Sequence, residues 1–129
     1  IVARALRSGL VDDARFTAAR LATLRRRGVS TRGAGGALAA KGVDRDIVAA
    51  ALAQEHEADP DHDVERAAAE AYARRRRLGP YRSPEKRAAY RERDLAAMGR
   101  AGFPYGLARA VIDAAGDDPS SAPADETQA

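Results

Sequence analysis

The chain has 129 residues, 45% hydrophobic but only 5% aromatic, and no cysteine. Disulfides and thiolate metal sites are therefore excluded, no apolar run approaches the ~20 residues that span a bilayer, and no secretory leader is visible. Net charge is +3, yet all 22 basic residues precede position 110, so residues 1–115 carry +7 and the last 14 carry −4; a basic body of this kind suits a polyanion or an acidic protein surface.

The first apolar stripe, Ile1, Val2, Ala5 and Leu6, predicts the end of a helix that Gly9 stops. Because the chain opens on Ile1 inside that stripe, we expect residues 1–11 to be the end of a truncated first repeat. Asp12 and Asp13 then suit the start of a second helix, where carboxylates favour the positive dipole end. It runs to about Arg27 with Ala14, Ala18, Leu21 and Leu24 inward and Phe16 as a packing anchor. Gly28 ends it. Ser30 or Thr31 caps a third helix to Lys41. Gly35 and Gly36 lie inside that helix at ~1 kcal/mol each against alanine, a cost that close approach of a neighbouring helix would offset; an irregular or late helix start is the alternative. Gly42 stops it, and Asp44 caps a helix to about Glu55 that buries Ile47, Val48, Ala51 and Leu52.

Residues 55–65 form an acidic, Pro60-containing linker. A helix from Asp63 to Leu78 follows, with Val64, Ala67, Ala68, Ala71, Tyr72 and Leu78 as its stripe. Gly79-Pro80 ends it. Ser83 and Pro84 then predict the cap and first position of a helix to Arg100. Gly102 stops that helix, and Pro104 opens the last one, which buries Leu107, Ala108, Val111 and Ile112. Residues 116–129 hold no large apolar group and are expected to form a disordered acidic tail.

An internal repeat has an offset of 60 residues: Leu38 matches Met98, Gly42 matches Gly102, Ile47-Val48 matches Leu107-Ala108, and Ala51-Leu52 matches Val111-Ile112. We therefore expect an all-α, elongated array of tandem three-helix repeats without a sheet, divided into residues 1–11, 12–57, 58–115 and the tail 116–129.

Few constellations suggest chemistry. Asp59, Asp61, Asp63 and Glu70 match positions 1, 3, 5 and 12 of a calcium loop, but Val64 stands where the sharp turn needs glycine. His56 and His62 are six residues apart across a proline and share no helix face. The glycine-rich run Arg32–Gly42 lacks the spacing and preceding strand of a phosphate-binding loop, and no nucleophile has a histidine base within a plausible pattern. We expect no catalysis, no metal and no cofactor. The basic groups stand out: Arg25, Arg26, Arg27 and Arg32, then Arg74 to Arg77, then Arg82, Lys86, Arg87, Arg91 and Arg93; the binding candidates among them are Arg25, Arg26, Arg27, Arg32, Arg74, Arg77, Arg82, Lys86, Arg87 and Arg91. From Arg66 to Arg109 the local charge is +8. These side chains can neutralise phosphates or pair with carboxylates. The tyrosines could stack on bases, but Tyr72 reads as core and Tyr105 as packed beside Phe103.

Four motifs in order, "GLVDDARF" (9–16), "RRRG" (25–28), "LAAKGVDRDIVAAAL" (38–52) and "RAGFPYGLARAVI" (100–112), resemble the RecX family of bacterial RecA modulators over residues 1–115. The resemblance implies structural motif roles for Asp12, Asp13, Arg15, Phe16, Gly42, Gly102, Phe103 and Tyr105. It also implies a non-enzymatic cytoplasmic regulator, monomeric and without membrane contact. Such a regulator binds the RecA filament, meets single-stranded DNA within it, and mostly inhibits recombinase and coprotease activity in DNA repair, homologous recombination and the SOS response. The alternatives are a stand-alone basic helical nucleic-acid-binding module and a protein-only adaptor whose arginines serve solubility.

Overall fold

The computed structural model describes the backbone of residues 2–115 and the side chains from residue 13 to 115. Among these residues the chain is wholly helical: α1 Val2–Arg26, α2 Thr31–Ala40, α3 Arg45–Ala58, α4 Val64–Arg76, α5 Arg87–Arg100 and α6 Tyr105–Ile112, with two 3₁₀ turns, Gly79–Tyr81 and Pro84–Lys86, before α5. The expected disordered tail lies outside the described residues.

The predicted break at Gly9 is absent, and α1 passes straight through it. A single glycine costs ~1 kcal/mol inside a helix, less than a new end and a new start among Ala, Leu and Arg, which propagate a helix well. The anchor role expected of Phe16 also fails, because its side chain is 49% exposed. The buried face of α1 is Thr17, Leu21 and Leu24, at i, i+4 and i+7. Phe16 stands one residue, or about 100°, away from that face. Ala14 and Ala18 are exposed as well.

Four helix ends share one device. The N–H of the residue after a left-handed position donates to a carbonyl five residues back: Val29 to Leu24 (3.0 Å), Val43 to Leu38 (3.1 Å), Leu78 to Ala73 (2.8 Å) and Phe103 to Met98 (3.1 Å). An apolar side chain follows each left-handed residue and tucks into the core, as this type of helix end favours. Three of the left-handed residues are glycines. The fourth is Arg77, at φ 56°.

Helix starts are satisfied by side chains. Ser30 Oγ accepts from Gly33 N (2.9 Å), Asp44 Oδ1 from Asp46 N (2.8 Å) and Asp63 Oδ1 from Arg66 N (2.9 Å). The cap expected of Ser83 is missing, and Pro84–Lys86 is a separate 3₁₀ turn ahead of α5. That segment is held instead by Arg87, which donates to Pro80 O (2.9 Å) and Arg82 O (3.2 Å). Gly35 and Gly36 meet no neighbour within 4 Å, so no close helix approach offsets their cost.

The core lies in two clusters. Leu21, Leu24, Ala34, Leu38, Val48 and Ala51 bind α1, α2 and α3. Ala68, Ala69, Ala73, Leu78, Leu95, Met98, Phe103, Ala108, Val111 and Ile112 bind α4, α5 and α6. The helices of the first cluster meet those of the second along a close seam. A Cβ added to Gly28 would stand 2.6 Å from Tyr72 N, and one added to Gly102 would stand 2.6 Å from Ser30 Oγ. Ser30 Oγ also donates to Ala101 O at 2.7 Å.

Phe103 is 4% exposed and meets Tyr72 at a ring distance of 5.8 Å. Tyr105, expected beside Phe103, is 64% exposed. The apolar contact that a left-handed helix end demands is already supplied by Phe103, which leaves Tyr105 outside at the first position of α6.

Candidate functional site

The arginines separate into those consumed by the fold and those facing out. Arg25, in the last turn of α1, is largely enclosed, with its side chain 9% exposed. Its Nε and Nη2 grip the two oxygens of Glu55 at 3.2 and 3.0 Å. Its Nη1 reaches Glu65 (2.8 Å) and Val29 O (3.2 Å), and its Nη2 also reaches Thr31 Oγ1 (2.7 Å). Glu65 in turn accepts from Thr31 N at 2.8 Å, at the start of α2. Burial pulls the Arg25 guanidinium down, but the hydrogen bonds and charges of Glu55 and Glu65 outweigh it and hold it above the ordinary arginine value.

Arg82 is consumed by the second cluster. It forks onto Asp94, with Nε to Oδ2 and Nη2 to Oδ1 both 2.8 Å, and Gly79 N donates to the same Oδ2 at 2.8 Å. Asp94 is 1% exposed. Burial alone would raise its carboxyl. The hydrogen bonds from Arg82 and Gly79, with the charges of Arg82 and Arg93, hold it below the ordinary carboxylate value instead. Arg91 forks onto the exposed Asp113 (2.8 and 2.9 Å), and this pairing lowers the Asp113 carboxyl. Arg87 clamps the 3₁₀ turns, as described above.

The remaining candidates point outward: Arg26, Arg27, Arg32, Arg74, Arg77 and Lys86 are all exposed. Arg26 and Arg27 close α1, while Arg74–Arg77 close α4, both at helix C-termini where positive charge is favoured. The two banks come from helices in contact, since Gly28 packs on the backbone of Tyr72, one turn before Arg76. Arg76 lies over the Tyr72 ring and Arg74 over that of Tyr81, each 5.5 Å from the centroid. Tyr90 faces both Arg82 (4.2 Å) and Arg93 (5.1 Å), and Tyr105 faces Arg109 (5.9 Å). Each tyrosine thus has an arginine partner, and Tyr105 is the most open of them.

Of the motif residues, Gly42 and Gly102 hold left-handed turns and Phe103 is core, whereas Asp13, Arg15, Phe16 and Tyr105 are exposed. Asp12 lies outside the described side chains. Two exposed arginines of α5 were not chosen as binding residues: Arg93, although it belongs to the basic run, and Arg100. Their signal was present, since they stand seven apart on one helix face. The buried Asp94 was also missed; its signal is a carboxylate beside Leu95 and four residues before Met98, on the apolar side of α5.

The linker acids have local uses. Asp63 caps α4, and Glu70 pairs with Arg66 (3.4 Å). His56 and His62, read as sharing no face, line one recess with Glu55, Asp61, Asp63 and Glu65. Among the described residues, no group of three or more His, Cys, Asp or Glu is placed to hold a metal ion, and no helix is long and apolar enough to cross a membrane.

Among curated proteins, the chain is similar to the Regulatory protein RecX of Myxococcus xanthus (strain DK1622), at 43% identity over 115 residues. The alignment covers 88% of this chain and 59% of the relative, so the chain spans less than two thirds of that protein's length. No family model matches the chain, and no solved structure matches it. The relationship read from the ordered motifs is borne out: over most of its length this chain is RecX-like.

Proposed function

We propose, with the RecX relationship as premise, that the chain is a non-enzymatic regulator. In this reading it binds RecA–DNA filaments in the cytoplasm and modulates, chiefly by inhibiting, recombinase and coprotease activity during DNA repair. The observation that carries the reading is the division of labour among the arginines. Arg25, Arg82, Arg87 and Arg91 have internal partners, yet Arg26, Arg27, Arg32, Arg74, Arg77 and Lys86 face solvent without a carboxylate within ion-pair distance among the described residues. A surface that keeps unpaired guanidinium groups while its folding pairs are satisfied is suited to fixed anions of a partner. A nucleoprotein filament offers both phosphates and acidic side chains. The residues 12–57 and 58–115 act in this scheme as two successive repeats of one binding body, and the chain works as a monomer.

The test is RecA ATPase on single-stranded DNA with and without the chain. Dose-dependent suppression is expected, lost when Arg26, Arg27, Arg74 and Arg77 are changed to Glu in a variant of unchanged helicity. ATPase unaffected at saturating chain would sink the reading. Equal binding to bare DNA and to the filament, with no effect on RecA, would favour a stand-alone nucleic-acid-binding module.

A further inference from the structure

We propose that Arg32, Arg93 and Arg100 form a track for the phosphodiester backbone of a single DNA strand, laid across the seam between α2 and α5. The proposal rests on the reading that this protein meets nucleic acid, and adds where the strand lies. Arg100 belongs to two adjoining surface recesses. One is lined by Arg32, Gly33, Gly99, Arg100, Ala101 and Gly102. In the other, Arg93 and Arg100 stand with Ala96, Ala97, Leu78 and the Arg82–Asp94 pair. The three arginines are exposed, and none takes part in an ion pair among the described residues.

The shape suits a strand more than a protein side. The floor between the guanidinium groups is made of glycine and alanine, which lets a backbone lie close without meeting a side chain. Arg93 and Arg100, seven residues apart on α5, stand on one face about 10 Å apart along the axis. Arg32 approaches from the other side of the seam, its Cβ 3.3 Å from where a side chain on Gly102 would start. Electrostatics agree. One acid lines these recesses, Asp94, and its charge is already met by Arg82 and Gly79 N. Arg32 sits in the first turn of α2, where Glu65 and Ser30 Oγ already take the Thr31 and Gly33 N–H groups, so the field of the track is that of the three guanidinium groups. The geometry is fixed by the Ser30–Ala101 hydrogen bond, so the arginines need not be gathered when the strand arrives. Phosphate contacts of this kind carry little base preference.

The test uses the whole chain and a fluorescein-labelled oligothymidylate, without RecA, so that it stands apart from the ATPase experiment. Changing Arg32, Arg93 and Arg100 to Ala is expected to weaken binding by tenfold or more. It should also flatten the salt dependence by roughly 2 in log–log slope, at ~0.7 per phosphate contact on a single strand. Changing Arg15, Arg45 and Arg109 to Ala, three exposed arginines outside both binding groups, removes the same net charge and should cost much less. Equal losses in the two triple variants would overturn the track in favour of diffuse attraction. So would an unchanged affinity in the first variant, or a wild-type chain that fails to bind the oligonucleotide. A polyglutamate peptide that competes as well as unlabelled oligothymidylate would overturn the phosphodiester assignment and point to an acidic protein surface. Should the first variant misfold, the Nε–H resonances of the three arginines in the wild-type chain serve instead. They are expected to move together on titration with oligothymidylate, and their failure to move ahead of the Arg15 and Arg45 signals would overturn the proposal.

Discussion

The half built from α1–α3 and the half built from α4–α6 reach similar packing by different electrostatic means. Gly28 and Arg77 are equivalent helix ends 49 residues apart, while Gly42 and Gly102 are equivalent ends 60 apart. Eleven residues are therefore added between α4 and α5 that have no counterpart between α1 and α2. In the first half, the short connection is closed by one hydroxyl, that of Ser30. In the second half, the longer connection forms two 3₁₀ turns, and a buried carboxylate, Asp94, gathers it through Arg82 and Gly79 N. The first half's chief ion cluster works across the seam instead, since Arg25 joins its own Glu55 to Glu65 of the neighbouring half. One half is tied internally and the other is tied to its neighbour.

The sharpest way to break this comparison is Asp94→Ala. It leaves Arg82 and Gly79 N without their acceptor, and breaking a buried pair costs about 3 kcal/mol or more. Urea denaturation should register that loss, and a change under 1 kcal/mol would show that the added turns need no anchor. Arg25→Met should cost less, because Glu55 and Glu65, at 19% and 23% exposure, can regain water. The Asp94 contribution also has a pH signature. Its folded carboxyl lies below the ordinary value, so the stabilisation is present at neutral pH and is lost as pH falls below the ordinary carboxylate range towards the folded value. Asp94→Asn should flatten the acid limb of stability against pH.

Next in size is the pair Gly28→Ala and Gly42→Ala. Both glycines are left-handed, at φ 88° and 83°, so both variants carry a conformational cost of ~1–2 kcal/mol. Only Gly28 would also drive a Cβ into the backbone of Tyr72, whereas Gly42 faces open space. Overpacking adds ~1–3 kcal/mol. Thermal melts in which the two variants fall by the same amount would mean the seam is looser than its geometry.

The smallest effect should come from Arg77→Gly. It relieves the one left-handed non-glycine residue among those described. Relief of up to ~2 kcal/mol is partly offset by the greater freedom of an unfolded glycine, ~0.4–1 kcal/mol. A gain of ~1 kcal/mol or less is expected in urea, and a clear loss would show that Arg77 holds a contact worth more than its strain.

Much of this fold is legible in the chain as letters. Gly28, Gly42 and Gly102 mark helix ends because their φ values suit few other residues, and Asp44 and Asp63 mark starts by offering carboxylates to free N–H groups. The 60-residue offset found its counterparts in Leu38 and Met98, both fully buried. The offset aligned only the later part of each half, since the eleven added residues shift everything before them. Gly9 misled because a helix end needs a partner for its last carbonyls, and a lone glycine supplies none. Phe16 and Tyr105 misled because size alone does not choose a face; phase and the position of neighbouring helices do. The candidate site was harder to read. Arg25 and Arg26 are adjacent and chemically identical, yet one is enclosed by Glu55 and Glu65 and the other faces water. That difference depends on carboxylates 30 and 40 residues away in sequence, which no local pattern encodes.

The hydroxyl of Ser30 also bears on the time course of folding. Its bond to Ala101 O spans 71 residues, whereas each hydrophobic cluster is assembled from helices that follow one another along the chain. Contacts between near neighbours in sequence form early, and those that close long loops carry a larger entropic toll. The seam is therefore expected to knit after the two clusters have collapsed. Contacts made that late act mainly as a brake on unfolding. The lifetime of the native chain, as distinct from its equilibrium stability, then rests heavily on a few polar groups between its halves.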